Sequence, residues 1–228
     1  MKIAVLGTGM VGQALAAGLA AKGHDVTVGT RDVQKSLANT TPNSFGMPGF
    51  GTWHKENKSI KVESFKNAAA SAEIIFNASN GTASLQALTL AHAESLGGKI
   101  LIDVTNDLDF SKGMPPKTNV NDVAGSSLGE RIQKAFPNLK VVKSLNTMNA
   151  FVMLNPAAVA GGDSTVFISG EDKAAKTKVH ELLASFGWKD IMDLGGIATS
   201  RAVEMMMPIW LTTFGVLGQP MYNFKIMR

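Results

Sequence analysis

Gly7, Gly9 and Gly12 stand in GxGxxG spacing inside "KIAVLGTGMVGQALAAGLAAKG" (residues 2–23). An apolar strand runs directly into these glycines and a helix opens on them, the context in which the pattern suits a dinucleotide. Gly7 permits the tight turn, Gly9 lets a pyrophosphate approach the backbone, and Gly12 lets helix and strand pack closely. The helix start adds unpaired N–H groups and a partial positive charge. A bare turn would use the same glycines; their place between strand and helix argues for a ligand.

A second group of residues chooses the dinucleotide. The next strand, "DVTVG" (25–29), ends on Thr30, Arg31 and Asp32. An acid at the end of this strand would accept from an adenine ribose 2′-OH. Thr30 takes that place, and its hydroxyl can donate to a 2′-phosphate. Arg31 adds a planar fork suited to phosphate oxygens. Lys35 adds a charge if the chain turns back. The set predicts NADP. The alternative makes Asp32 the ribose acceptor and favours NAD, but Asp32 comes late and is better placed to cap the next turn.

Ligands of open parallel sheets lie across the carboxyl ends of the strands. Three turns at such ends are small and polar: "ASNGTAS" (78–84), "TNDLDF" (105–110) and "NTMNAF" (146–151). They should face one crevice. Ala78 and Ser79 would let a nicotinamide pass close to the backbone.

No acid–base constellation stands out. His24 reads as a surface turn residue, His92 and His180 as helical, and His54 as a loop residue within reach of the cofactor. No His and carboxylate pair has metal-ligand spacing. Asp103 and Asp107 look isolated, and Lys143, the one lysine placed at a strand end where a proton relay could sit, reads rather as a surface charge there. An alcohol dehydrogenase needs a proton relay. A protein passing a hydride between two flat heterocycles mainly has to hold the rings face to face. Met205, Met206, Met207, Trp210 and Phe214 could line a pocket for such a ring, although packing in a core or dimer interface is the commoner use of such side chains.

These residues need a frame. Strands alternate with helices: after residue 58 come "SIKVES", "EIIFNA", "KILIDVT", "KVVKSLN", "STVFISG" and "KDIMDLG", with helices between. That predicts an α/β, Rossmann-type doubly wound, mainly parallel sheet. A long loop is expected over 33–58, holding Pro42, Pro48, Phe45, Phe50, Trp53 and His54. One last helix is expected over 198–217. The division expected is a dinucleotide-binding core (1–145) and an extension (146–228) that completes the sheet and the second pocket.

Bulk properties agree. The 228 residues are 45% hydrophobic and 18% charged, enough for a sizeable core. The net charge of +4, with no basic run, gives no argument for nucleic acid. There is no cysteine, which excludes disulfides and thiolate chemistry and suits the cytoplasm. The first strand is expected to start at Lys2, so no signal peptide is expected. The apolar segment 205–218 is too short to span a membrane and reads as a buried helix.

"GTGMVGQALAAGLAAKGHDVTVGTRD" and "VVKSLNTMNA" together resemble the NADP oxidoreductases that use the deazaflavin coenzyme F420. The resemblance extends to "LIDVTNDLDFSKGMPP", "SLGERIQKAFP", "GGDSTVFISG" and "DLGGIATSRAVEMMMPIWL". The cytosolic reductase domain of some membrane ferric reductases looks similar too. The resemblance implies a Rossmann core with extra strands and a C-terminal helical portion, usually in a homodimer. It implies NADP held at Thr8, Gly9, Met10 and Val11, with Thr30, Arg31 and Lys35 on the 2′-phosphate. It implies hydride transfer to coenzyme F420 without an obligatory protein acid. Where archaeal members tend to carry a histidine, this sequence has Asn146, with Met148 two residues on; these are the candidate residues at the reacting rings. Other acceptors fit the same residues: a flavin, a quinone, a ferric chelate, or a small carbonyl or imine. So does an NADP(H)-sensing module without a second substrate.

Overall fold

A computed structural model describes residues 1–43, 46–109, 111–113, 116–118 and 126–228. Phe45 of the expected loop, Phe110 of the second turn, and Met114 and Pro115 lie outside the described residues.

The strands are β1 (Lys2–Leu6), β2 (Asp25–Thr30), β3 (Lys61–Ser64), β4 (Ile74–Asn77), β5 (Ile100–Asp103), β6 (Leu108–Asp109), β7 (Lys117–Thr118), β8 (Lys140–Ser144), β9 (Thr165–Ser169) and β10 (Asp190–Asp193). Eight of them form one sheet in the order β10-β9-β8-β5-β4-β1-β2-β3, while β6 and β7 pair as a small antiparallel ribbon. Every neighbouring pair in the large sheet is parallel except β8 with β9. Strand order reverses between β1 and β4, which opens the crevice where such sheets bind ligands.

Alternation along the strands builds two cores. Ile3 and Val5 of β1, Phe76 of β4, Ile102 of β5 and Val142 of β8 face one layer, which the helices Met10–Ala21 and Lys173–Ser185 cover. Ala4, Leu6, Ile75, Leu101 and Val141 face the other, covered by the helices Phe65–Ser71, Ser84–Ala91 and Leu128–Ala135. Both faces are buried, so the strands read as continuous apolar runs.

Three expectations need correction. The span 33–58 is not one long loop: it holds the helices Val33–Ala38 and Phe50–Glu56. Phe50 and Trp53 are buried in the first core, and His54 bonds the Ile60 carbonyl through Nε2 at 2.9 Å. The local signals were Asp32, whose carboxylate caps the first helix by accepting from Lys35 N, and the apolar spacing of Phe50 and Trp53. The final helix is two, Ser200–Glu204 and Met207–Leu217, with a break before Pro208. Proline cannot donate a helical N–H, so the second helix begins there. The segment 205–218 is not a buried helix, since Met205, Ile209, Val216 and Leu217 are exposed. No helix among the described residues is long and apolar enough to cross a membrane.

Candidate functional site

The glycine turn joins β1 to the helix Met10–Ala21. Gly7 has φ of +126°, a conformation L residues rarely adopt. A Cβ on Gly12 would lie 2.1 Å from the Gly7 carbonyl oxygen, so helix and turn meet only because that atom is missing. A Cβ on Gly9 would meet nothing within 4 Å. Gly9 therefore serves the space in front of the helix start rather than the packing behind it. That space is a cradle of the kind a pyrophosphate needs.

A cleft of about 900 Å³ runs from this turn to the end of β2, lined by Thr8, Gly9, Thr30, Arg31, Lys35 and Ser36 among others. Thr30 is buried, and its hydroxyl lies 2.7 Å from Ser36 Oγ. Arg31 and Lys35 are exposed, and among the described residues neither side chain meets a carboxylate. Asp32, engaged as a helix cap, is turned to its own backbone. The cleft thus offers two unneutralised cations and a hydroxyl pair just beyond the end of β2.

A second cavity, about 470 Å³, opens from the first. Met10, Val11, Ala78, Ser79 and Asn80 line both. The three strand-end turns converge here as expected, with Thr105, Asn106, Asn146 and Met148 in its wall. Met207, Trp210, Leu211 and Phe214 form the apolar side. The pocket role, not core packing alone, is therefore what Met207, Trp210 and Phe214 take; Met205 is exposed outside it. Trp210 stacks on Phe214 and on Tyr222, with ring centroids 5.9 and 5.3 Å apart. The Tyr222 hydroxyl donates to the Trp210 carbonyl.

Leu145, buried at the end of β8, has φ of +62°. Such a conformation costs energy in a bulky residue and is held only by firm surroundings. It swings Asn146 into the wall. Asn146 Nδ2 donates to Asn106 Oδ1 at 2.9 Å and to the Val203 carbonyl at 3.1 Å, while Asn106 Nδ2 donates back to the Asn146 carbonyl at 2.8 Å. Both amide hydrogens of Asn146 are spent on holding the turns together. Its geometry is that of a clasp rather than a proton donor.

Lys143 and Asp103 correct the sequence reading most. Lys143 is not a surface charge: it is completely buried. Its Nζ lies 2.8 Å from Asp103 Oδ2 and 3.0 Å from Glu204 Oε1, and also donates to the Thr105 carbonyl. Burial alone would lower its pKa, but the two carboxylates outweigh burial and raise it. Asp103 is not isolated: its Oδ1 accepts from Asn77 Nδ2 at 2.9 Å and Thr105 Oγ1 at 2.7 Å. Glu204 in turn accepts from the Leu128 and Gly129 N–H groups at the start of the helix Leu128–Ala135. Asp107 pairs with Arg131, so it is not isolated either. His92 is not inside a helix but in the break between Ser84–Ala91 and Ala93–Leu96, with φ of +64°.

Asn77, Asn106 and Glu204 were missed by sequence reasoning. One signal was available: Asn77 and Asp103 each end an otherwise apolar strand, and a polar side chain between two cores must find a partner.

The comparisons with known proteins agree with this geometry. Residues 2–107 match the family model described as coenzyme F420-dependent NADP oxidoreductase. A crystal structure from Arthrobacter sp. FB24, described as a candidate F420-dependent NADP reductase, is 51% identical over the full length of both chains, with a TM-score of 0.92. The F420-dependent NADP reductase of Methanothermobacter marburgensis is 27% identical over 213 residues, covering 92% of this chain and 90% of that protein. Metalloreductase STEAP3 of Rattus norvegicus is 28% identical over 215 residues, but the match spans only 38% of that protein. With identity of 51% across two whole chains and a glycine turn of the same family, this chain belongs to the coenzyme F420-dependent NADP oxidoreductases.

Proposed function

We propose that the protein passes a hydride between NADP(H) and coenzyme F420. One observation carries the reading: a polar cleft with free cations at its far end runs into an apolar, aromatic-walled cavity, and five residues are common to both. When bound, the two coenzymes supply the hydride donor and acceptor carbons. The chain's own part is to bind and align. The glycine turn faces the pyrophosphate, Thr30, Arg31 and Lys35 face the 2′-phosphate, and Ala78 and Ser79 bring the backbone close to the nicotinamide. Met148, Met207, Trp210 and Phe214 keep water from the ring junction, which favours hydride over proton traffic. Asn146 and its Asn106 clasp set the position of the junction's far wall.

The same reading assigns nucleotide binding to residues 1–145 and the second-ring wall to 146–228. It places the protein in the cytoplasm as a homodimer. The exposed Ile209, Val216 and Leu217 on the last helix support a self-association face, and light scattering after gel filtration tests it by giving twice the chain mass.

The test of function mixes the protein with NADPH and oxidised F420 and follows the loss of deazaflavin absorbance, with FMN in a parallel cuvette. Turnover with F420 alone is expected. Turnover with FMN alone, or none with either while NADPH binds, overturns the F420 assignment.

A further inference from the structure

Asn77, Asp103 and Lys143 form a row. They are register partners across β4, β5 and β8, near the carboxyl ends of all three strands. In-register neighbours point to one face, here the face carrying Ile75, Leu101 and Val141. Glu204 closes the row from the helix Ser200–Glu204, which leads on to the pocket-wall residues Met207 and Trp210. The row also reaches the pocket directly. Thr105, in the pocket wall, donates to Asp103 Oδ1, and Ser79, in the wall of both cavities, donates through Oγ to Asn77 Oδ1 at 2.8 Å. Asp103 thus lies one hydrogen bond behind the wall.

The charges in this row do not cancel. One ammonium faces two carboxylates, all buried. The nearby pairs Asp107–Arg131 and Glu130–Arg201 each neutralise themselves. The start of the helix Leu128–Ala135 offsets part of the excess at Glu204 through its partial positive charge. A net negative field therefore stands behind the wall where the nicotinamide is assigned, with little water to screen it.

A nicotinamide that gives up its hydride changes from a neutral dihydropyridine to a pyridinium cation. We propose that Asp103 and Glu204, held by Lys143, are positioning residues that favour the oxidised, cationic nicotinamide over the reduced one. The inference rests on the NADP reading above. It extends that reading to the energetics of the bound couple and needs no contact between the carboxylates and the ring.

The test compares dissociation constants for NADP⁺ and NADPH by calorimetry, in the wild-type chain and in Glu204→Gln and Asp103→Asn. Each variant should raise the ratio of the NADP⁺ constant to the NADPH constant by about three- to tenfold. A merely structural role would weaken both nucleotides alike, and an unchanged ratio in a folded variant overturns the proposal. Should neither variant fold, the wild-type chain decides: NADP⁺ binding tighter than NADPH is expected, and tighter NADPH binding overturns the proposal. Failure of either nucleotide to bind would instead overturn the NADP reading.

Discussion

Arg31→Ala is the perturbation that tests the nucleotide assignment most directly. Arg31 lines the far end of the polar cleft, is exposed, and meets no carboxylate among the described residues. Its removal should leave the fold intact, because no structural partner is lost. A hydrogen bond to a charged group contributes about 1.5–3 kcal/mol. Arg31 is solvent-exposed and Lys35 remains beside it, so the lower part of that range applies. A loss of about 1.5–2 kcal/mol corresponds to roughly 10- to 30-fold weaker NADPH binding. NADH lacks the 2′-phosphate and should change by less than about twofold, within the usual span for an exposed surface substitution. Calorimetric titration with both nucleotides, at one fixed ionic strength because exposed charges are screened, gives the two constants. Equal losses for NADPH and NADH would show that Arg31 does not read the phosphate. A selective NADH loss in Asp32→Ala would return the selector role to Asp32 and the preference to NAD.

Gly9→Ala should leave thermal stability unchanged or slightly raised, since its Cβ enters open space at an ordinary φ of −74°, yet weaken NADPH binding by about tenfold or more through the lost cradle. Gly12→Ala should instead destabilise the fold by several kcal/mol, because its Cβ would meet backbone oxygen at 2.1 Å; a melt of the two proteins side by side checks the contrast. Trp210→Ala should raise the KM for F420 at least about tenfold through loss of stacking and area, with NADPH affinity kept, as paired steady-state and binding measurements would show. Burial pushes the Glu130 carboxyl upward, but the hydrogen bonds from Arg201 and Ser127 prevail and hold it low. Its stabilisation is therefore present at neutral pH and is lost as pH falls below about 4.5 toward the lowered folded value. Arg201 is exposed, so Arg201→Ala should cost little stability at pH 7 and less still at pH 3.5, as urea denaturation at the two pH values would show.

The strand–glycine turn–helix unit was legible because its determinants are mostly local: Gly7, Gly9 and Gly12 fall within a few residues of one another, and Gly12 packs directly on Gly7. The three polar turns were legible for a related reason: strands alternating with helices put successive carboxyl ends on one edge. The short helices in 33–58 were hidden by Pro42, Pro48 and a glycine-rich stretch that reads as loop. The helix break before Pro208 was written in the sequence, yet the apolar run across it suggested continuity.

Lys143 shows what a sequence withholds. Its neighbours Val141, Val142 and Leu145 are apolar, so a lysine among them reads as the point where a strand leaves the core. Whether it leaves depends on what lies beside it. Asp103 is 40 positions earlier and becomes a neighbour only because β8 pairs with β5. Glu204 arrives from 61 positions later, on a helix whose placement follows from the order of β8, β9 and β10. Burying the ammonium alone would cost several kcal/mol, and removing either partner from such a set is likewise costly. The tell was therefore not Lys143 by itself. Three adjacent buried strands each carry a polar residue near the carboxyl end, and uncompensated polar groups are not tolerated there in triplicate. A reader who takes sheet order first and asks which strand-end polar residues become neighbours would place Asn77, Asp103 and Lys143 in one row, and would then look for the carboxylate that completes it.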